Sequence, residues 1–141
     1  MASVLIAEDE LNPAPAKGAD PVTRVVLVVE DEPQVRQSIA GELRAFGWLV
    51  IEAATGEQAV ALAPDNRIDA VFTDIQLGDG ICGWETAVAL RAKLPTIPIV
   101  YTSAGRCEPD RQVSGSLFVS KPYEAAFIIE TCNNLIEDGV S

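Results

Sequence analysis

The sequence predicts a doubly wound α/β domain: five parallel strands in the order 2-1-3-4-5, with helices on both faces of the sheet. Three observations predict it. Short apolar runs, led by Val25–Val29, suit strands that are covered on both faces. Helical segments with an apolar stripe or a capping signal alternate with those runs, and right-handed crossovers between them make the sheet parallel. Charged and hydroxyl side chains stand just past the carboxyl ends of the runs, where sheets of this order hold their ligands.

Val25–Val29 is five apolar residues, four of them valine. Pro33 opens a helix at its first position. Val35, Ile39, Leu43 and Phe46 then recur at spacings of 4, 4 and 3, which makes one apolar stripe, and Gly47 closes the helix. Trp48–Glu52 reads as the second strand. Thr55-Gly56-Glu57-Gln58 is a capping box that opens a helix to about Ala63, ahead of Pro64. Ala70–Thr73 is a buried strand ending at Asp74, followed by a loop with Gly78, Gly80 and Gly83. Trp84, Ala87, Val88, Leu90 and Arg91 mark a helix to about Lys93. Pro95 and Pro98 bracket a turn before Ile99–Tyr101, a strand ending at Thr102. Leu117–Val119 is the fifth strand, ending near Lys121. The last helix runs from Glu124 to about Glu137, with Phe127, Ile128, Thr131, Leu135 and Ile136 facing the core.

Residues 4–10 (VLIAEDE) nearly repeat residues 26–32 (VLVVEDE), 22 positions on (26 minus 4). Only the second copy continues into a helix. The first runs into Asn12–Pro21, where three prolines and a glycine forbid one. Residues 1–22 therefore read as a flexible extension, 23–138 as the domain and 139–141 as a tail. An extra edge strand or swapped contact made by Val4–Ala7 is the alternative.

At 141 residues the chain has the length for one such domain with a proper core, not two. A hydrophobic fraction of 48% and a mean hydropathy of +0.20 argue against disorder. No apolar run approaches the roughly 20 residues that span a bilayer, and no basic segment precedes the first one as in a secretory signal. No membrane partner is expected, and the expected location is the cytoplasm. Cys82, Cys107 and Cys132 lack metal-type spacing and read as reduced thiols, buried or half buried. The net charge of −11, without a basic stripe, argues against a nucleic-acid partner. The chain has no histidine, which excludes a Ser-His-Asp mechanism, a His-ligated zinc and a phosphohistidine. Carboxylate, hydroxyl, lysine and a hard metal ion remain as chemical tools.

Those tools gather at the strand ends. Strand one delivers Glu30-Asp31-Glu32, strand three Asp74, strand four Thr102-Ser103 and strand five Lys121-Pro122. In the order 2-1-3-4-5, these four strands are neighbours. Carboxylates a few ångströms apart repel, so some pKa values should rise unless a cation compensates. Mg²⁺, or a similar hard ion such as Mn²⁺, compensates while keeping waters and taking phosphate oxygens. An ionised Asp can then attack phosphorus without a general base, with Lys121 and the Thr102 hydroxyl facing phosphoryl oxygens. The plainer alternatives are a helix-dipole role for the acidic triplet, most apt for Glu32, and a solvated Lys121.

The pieces VLVVEDEP, VFTDIQLGDGICG, IVYTSA and LFVSKPY occur in one order on the right elements. Over about Val25–Glu137 the chain resembles the receiver domain of bacterial two-component response regulators, a flavodoxin-like fold. The resemblance implies that Asp74 is the phosphoacceptor, that Asp31 binds the metal directly and Glu30 through water, and that the Gln76 backbone carbonyl completes the site. It implies that Thr102 and Ser103 border the phosphoryl group, that Lys121 pairs with it, and that Phe118 holds the aromatic switch position. Simple core packing is the competing reading of Phe118. The Lys121–Pro122 bond is expected to be cis. The implied partners are a histidine kinase or histidine phosphotransfer protein and a downstream protein, with homodimerisation left open.

Three departures stand out. Only 19 positions separate Thr102 from Lys121 (121 minus 102), and SAGRCEPDRQVSGS is too polar and too rich in Gly and Pro for a long amphipathic helix. A parallel crossover needs about 10–12 residues, so a short or missing fourth helix with a mobile loop is expected. Gln76 stands beside the acceptor, and Gly78 loosens its loop. Little sequence follows the last helix, so the chain reads as a stand-alone receiver that assists its own phosphorylation and dephosphorylation without being an enzyme. Two rivals are a small aspartyl-phosphate phosphatase, which wants an Asp where Gln76 stands, and a receiver-like interaction domain that works without phosphorylation.

Overall fold

A computed structural model describes residues 23–139; the expectations for residues 1–22, Val140 and Ser141 lie outside them. Five strands, β1 (Val25–Val29), β2 (Leu49–Ala53), β3 (Ala70–Asp74), β4 (Ile99–Ser103) and β5 (Leu117–Ser120), alternate with α1 (Pro33–Ala45), α2 (Gly56–Leu62), α3 (Gly83–Lys93) and α4 (Ala125–Asp138). The sheet is parallel throughout, in the order β2-β1-β3-β4-β5.

Burial follows position in the sheet. Every residue of β1, β3 and β4 is buried, while β2 and β5 at the edges are partly exposed. Alternate strand residues feed two cores, because side chains on a strand point to opposite faces in turn. Leu27, Val29, Val71, Ile99 and Tyr101 meet Trp84 and Leu90 of α3 and Ala59 of α2. Val26, Val28, Phe72 and Val100 meet Ile39 and Leu43 of α1 and Ile128 and Cys132 of α4.

Several helix expectations are narrowed. In α1 only the middle of the stripe, Ile39 and Leu43, is fully buried, with Ala40 beside it; Val35 in the first turn and Phe46 at the C-cap remain 36% and 56% exposed. Phe127 does not face inward. It is 52% exposed, since the buried face of α4 runs through Ala125, Ile128, Thr131 and Cys132. At α2 the Thr55 hydroxyl accepts from the Gln58 amide at 3.0 Å, but the Gln58 side chain takes the Ala54 amide at 2.7 Å, not that of Thr55. The box is therefore closed one residue early. Cys132 is buried and Cys82 half buried, but Cys107 is exposed, because it lies in the loop after β4.

No helix crosses from β4 to β5; a 3₁₀ turn at Pro109–Arg111 stands in its place. The loop is tied down, which limits the freedom expected of it. The Val113 amide donates to the buried Tyr101 hydroxyl at 3.1 Å, and the Arg111 guanidinium lies 5.7 Å from the centre of the Trp84 ring. Residues 104–110 are exposed. The Lys121–Pro122 peptide bond is cis. Among the described residues, no helix is long and apolar enough to cross a membrane.

Candidate functional site

The site is built where β1, β3, β4 and β5 end. Asp74 closes β3 and is 5% exposed. Its Oδ1 accepts the Gln76 amide at 3.0 Å, so the carboxylate is fixed by its own loop. Thr102 is its register partner on β4. Lys121 leaves β5 with its amide bonded to the Ser103 carbonyl at 3.0 Å. Its Nζ lies 2.6 Å from Asp74 Oδ2 and 3.7 Å from Glu30 Oε1.

Glu30 continues β1 by one residue, its amide donating to the Ala53 carbonyl at 3.1 Å. It is also 5% exposed. Burial, together with the Asp74 carboxyl beside it, pushes its pKa up to about 7, against the lowering effects of the Glu32 amide and Lys121. Burial works against the charge on Lys121, but its bond to Asp74 and the charges of Asp74 and Glu30 outweigh that and hold its pKa above the ordinary value. The cluster is thus two buried carboxyl groups sharing one ammonium.

Asp31 is exposed. A Cβ on Gly78 (φ +68°) would come within 2.9 Å of Asp31 Oδ2, so the loop after β3 runs directly against that carboxylate. The Gln76 side chain is exposed. Among the described residues the buried Thr102 hydroxyl has no hydrogen-bond partner, a state that costs about 1–3 kcal/mol unless something fills it. The Ser103 hydroxyl accepts the Gly105 amide at 2.9 Å, which leaves its own proton to donate. Phe118 is half buried against the core that holds Trp84 and Tyr101, and sits beside Tyr101 in the sheet.

Among the described residues, no three Cys, Asp or Glu side chains form a ready metal cage. Mg²⁺ needs none, since it typically takes one or two carboxylates and keeps its waters. A carboxylate at the exposed rim, another fixed by its loop amide, and an unfilled hydroxyl in register with the second are donors of the kind that such an ion and a phosphoryl group take.

Two supports of the site leave almost no trace in the sequence. The Arg36 Nη1 donates to the Glu30 carbonyl at 2.9 Å, while its Nε meets Glu52 at 3.3 Å, so α1 pins the end of β1. Gly83 lets α3 start on top of β3. Its amide donates to the Ile75 carbonyl at 2.8 Å, and a Cβ there would lie 2.3 Å from the Asp74 carbonyl oxygen. The only sequence signal for either was a basic residue one turn past the acidic triplet and a third glycine in the loop.

Fold and site together define the receiver class of doubly wound domain. The chain belongs to the response regulator receiver domain family, which matches residues 26–133. It is 33% identical over 113 residues to the probable transcriptional regulatory protein TcrX of Mycobacterium tuberculosis, covering 77% of this chain and 47% of that protein. It is 32% identical over 103 residues to the transcriptional regulatory protein KdpE of the same species, covering 70% and 45%. The chain spans about half the length of these curated relatives. A response regulator receiver protein from Sinorhizobium medicae superposes with a TM-score of 0.75 at 28% identity, covering 82% of this chain and 96% of that one. Membership makes this a phosphoacceptor signalling domain of two-component systems.

Proposed function

We propose that Asp74 is the phosphoacceptor and that residues 23–138 form the receiver unit. The observation that carries this is the 2.6 Å pair of Lys121 and Asp74 beside the buried Glu30 at the end of β3. An Asp oxygen attacks the phosphorus of a phosphohistidine on a kinase or phosphotransfer protein. The P–N bond breaks, and the imidazole nitrogen leaves with the electron pair. Lys121 then turns from a carboxylate to a phosphoryl oxygen, and the Thr102 hydroxyl gains the acceptor it lacks. Asp31, Asp74, the Gln76 carbonyl and, through water, Glu30 would hold Mg²⁺ or Mn²⁺. When bound, the ion would neutralise phosphoryl charge.

The reading places the domain in the cytoplasm, with a protein as its target; the −11 net charge supports a protein over nucleic acid. The phosphatase alternative finds an exposed Gln76 where it needs an acid. The test is incubation with a small phosphodonor and Mg²⁺, followed by peptide mass analysis. Phosphate is expected on the Asp74 peptide and absent in Asp74→Asn; a phosphorylated Asp74→Asn overturns the assignment. Phosphotransfer from candidate histidine kinases then identifies the donor.

A further inference from the structure

The loop that follows the acceptor carries two glycines with positive φ, Gly78 at +68° and Gly80 at +89°. Glycine reaches such angles freely, so the loop has little intrinsic preference for one shape. Yet its first half must hold still, because it supplies the Gln76 amide that fixes Asp74 and runs against Asp31. Something outside the loop has to set its shape.

That contact comes from α2. Glu57 Oε2 accepts the Ile81 amide at 2.9 Å, across 24 positions of sequence. The same carboxylate lies flat against Gly80, where a Cβ would come within 2.7 Å of both its oxygens. Next to it, Gly56 meets Thr86 and Ile81 so closely that a Cβ would fall 2.0 Å from the Thr86 hydroxyl. The start of α2 is therefore a platform pressed on the far end of the loop, with Glu57 as a charged contact there. The near end is anchored by the bond between the Gln76 amide and Asp74.

We propose that Glu57 is a positioning residue for phosphorylation: by clamping Gly80–Ile81 it fixes the loop that presents the Gln76 backbone to Asp74. The inference rests on Asp74 being the acceptor. Glu57 touches none of the reacting atoms. It acts through the loop and removes the freedom that the two glycines introduce. Its side chain is exposed, so truncation leaves the core intact.

The test compares wild type, Glu57→Ala, Glu57→Gln and Asp74→Asn. The readouts are the rate of phosphorylation by acetyl phosphate with Mg²⁺, Mg²⁺ binding to the unphosphorylated protein by calorimetry, and Ile81 amide exchange. Glu57→Ala should expose the Ile81 amide to faster exchange, slow phosphorylation by about tenfold and weaken Mg²⁺ binding, the scale of one lost charge-assisted hydrogen bond. Glu57→Gln keeps an acceptor oxygen and should restore most of all three, which a purely electrostatic effect of the charge would not do. If Glu57→Ala frees the Ile81 amide while rate and Mg²⁺ affinity stay at wild-type values, the clamp is only structural and the proposal falls. If Gln and Ala are equally slow, positioning is also wrong. Phosphate on Asp74→Asn would instead sink the acceptor assignment beneath it.

Discussion

The ammonium of Lys121 lies 2.6 Å from Asp74, joining residues 47 positions apart. It is also 3.7 Å from Glu30. One cation therefore balances two buried carboxyl groups before any phosphate or metal arrives. On the proposed assignment, a phosphoryl group on Asp74 would draw that cation toward itself and leave Glu30 less compensated.

Removing the cation should act on both carboxyls. Lys121→Ala should slow phosphorylation by about a hundredfold, the scale of one lost charge-stabilising group. Lys121 holds the Glu30 pKa down, so the same variant should titrate Glu30 at higher pH. Carboxyl carbon NMR reads the second effect, and an unmoved Glu30 would contradict the shared-cation account.

Glu30 gives the fold a pH dependence of known sign. Its folded pKa of about 7 lies above the ordinary 4.5, so the folded state binds this proton more tightly than the unfolded chain does. Its favourable contribution is complete below about pH 4.5 and is lost as pH rises through about 7, at most about 3 kcal/mol by linkage. Glu30→Gln carries no such loss. Its stability relative to wild type should grow between pH 5 and pH 8 by about 1–3 kcal/mol in urea unfolding. A difference that stays constant over that window refutes the assignment.

Two glycine-to-alanine changes should differ in sign. Gly83→Ala drives a Cβ to 2.3 Å from the Asp74 carbonyl oxygen and 2.6 Å from the Ile75 Cα. Both are backbone atoms, so α3 must lift, at a cost of about 1–3 kcal/mol. Gly41 lies inside α1, and no atom of the described residues comes within 4 Å of a new Cβ there. Gly41→Ala should stabilise by about 0.5–1 kcal/mol. Thermal or urea unfolding of the pair checks both.

One tie of the loop between β4 and β5 is the Tyr101 hydroxyl. Tyr101→Phe leaves the Val113 amide without the acceptor it has at 3.1 Å. Stability should fall by about 1 kcal/mol, and Val113 amide exchange should speed up. An unchanged exchange rate at Val113 would show that the loop is held by other contacts.

Much of this was legible in the chain itself. The valine run at 25–29, the capped helices and the glycines give the elements, because each is written in local spacing and local backbone preference. The position of Glu30, Asp74, Thr102 and Lys121 at strand ends follows from that, and so does the missing helix before β5, since SAGRCEPDRQVSGS has no stripe to bury. What spacing does not encode is which neighbour meets which. Glu30 and Asp31 are adjacent, yet one is buried with a raised pKa and the other is exposed. Phe127 and Ile128 are adjacent too, and only Ile128 reaches the core.

The sequence by itself determined the order of the elements, the sheet and which side chains stand at its rim, because hydrophobic period and turn residues act over a few positions. Only the tertiary structure decided the exposure of Cys107, the tethering of Val113 to Tyr101 and the reach of Glu57 to Ile81. Those depend on how separate elements pack, and packing joins residues that no local pattern connects.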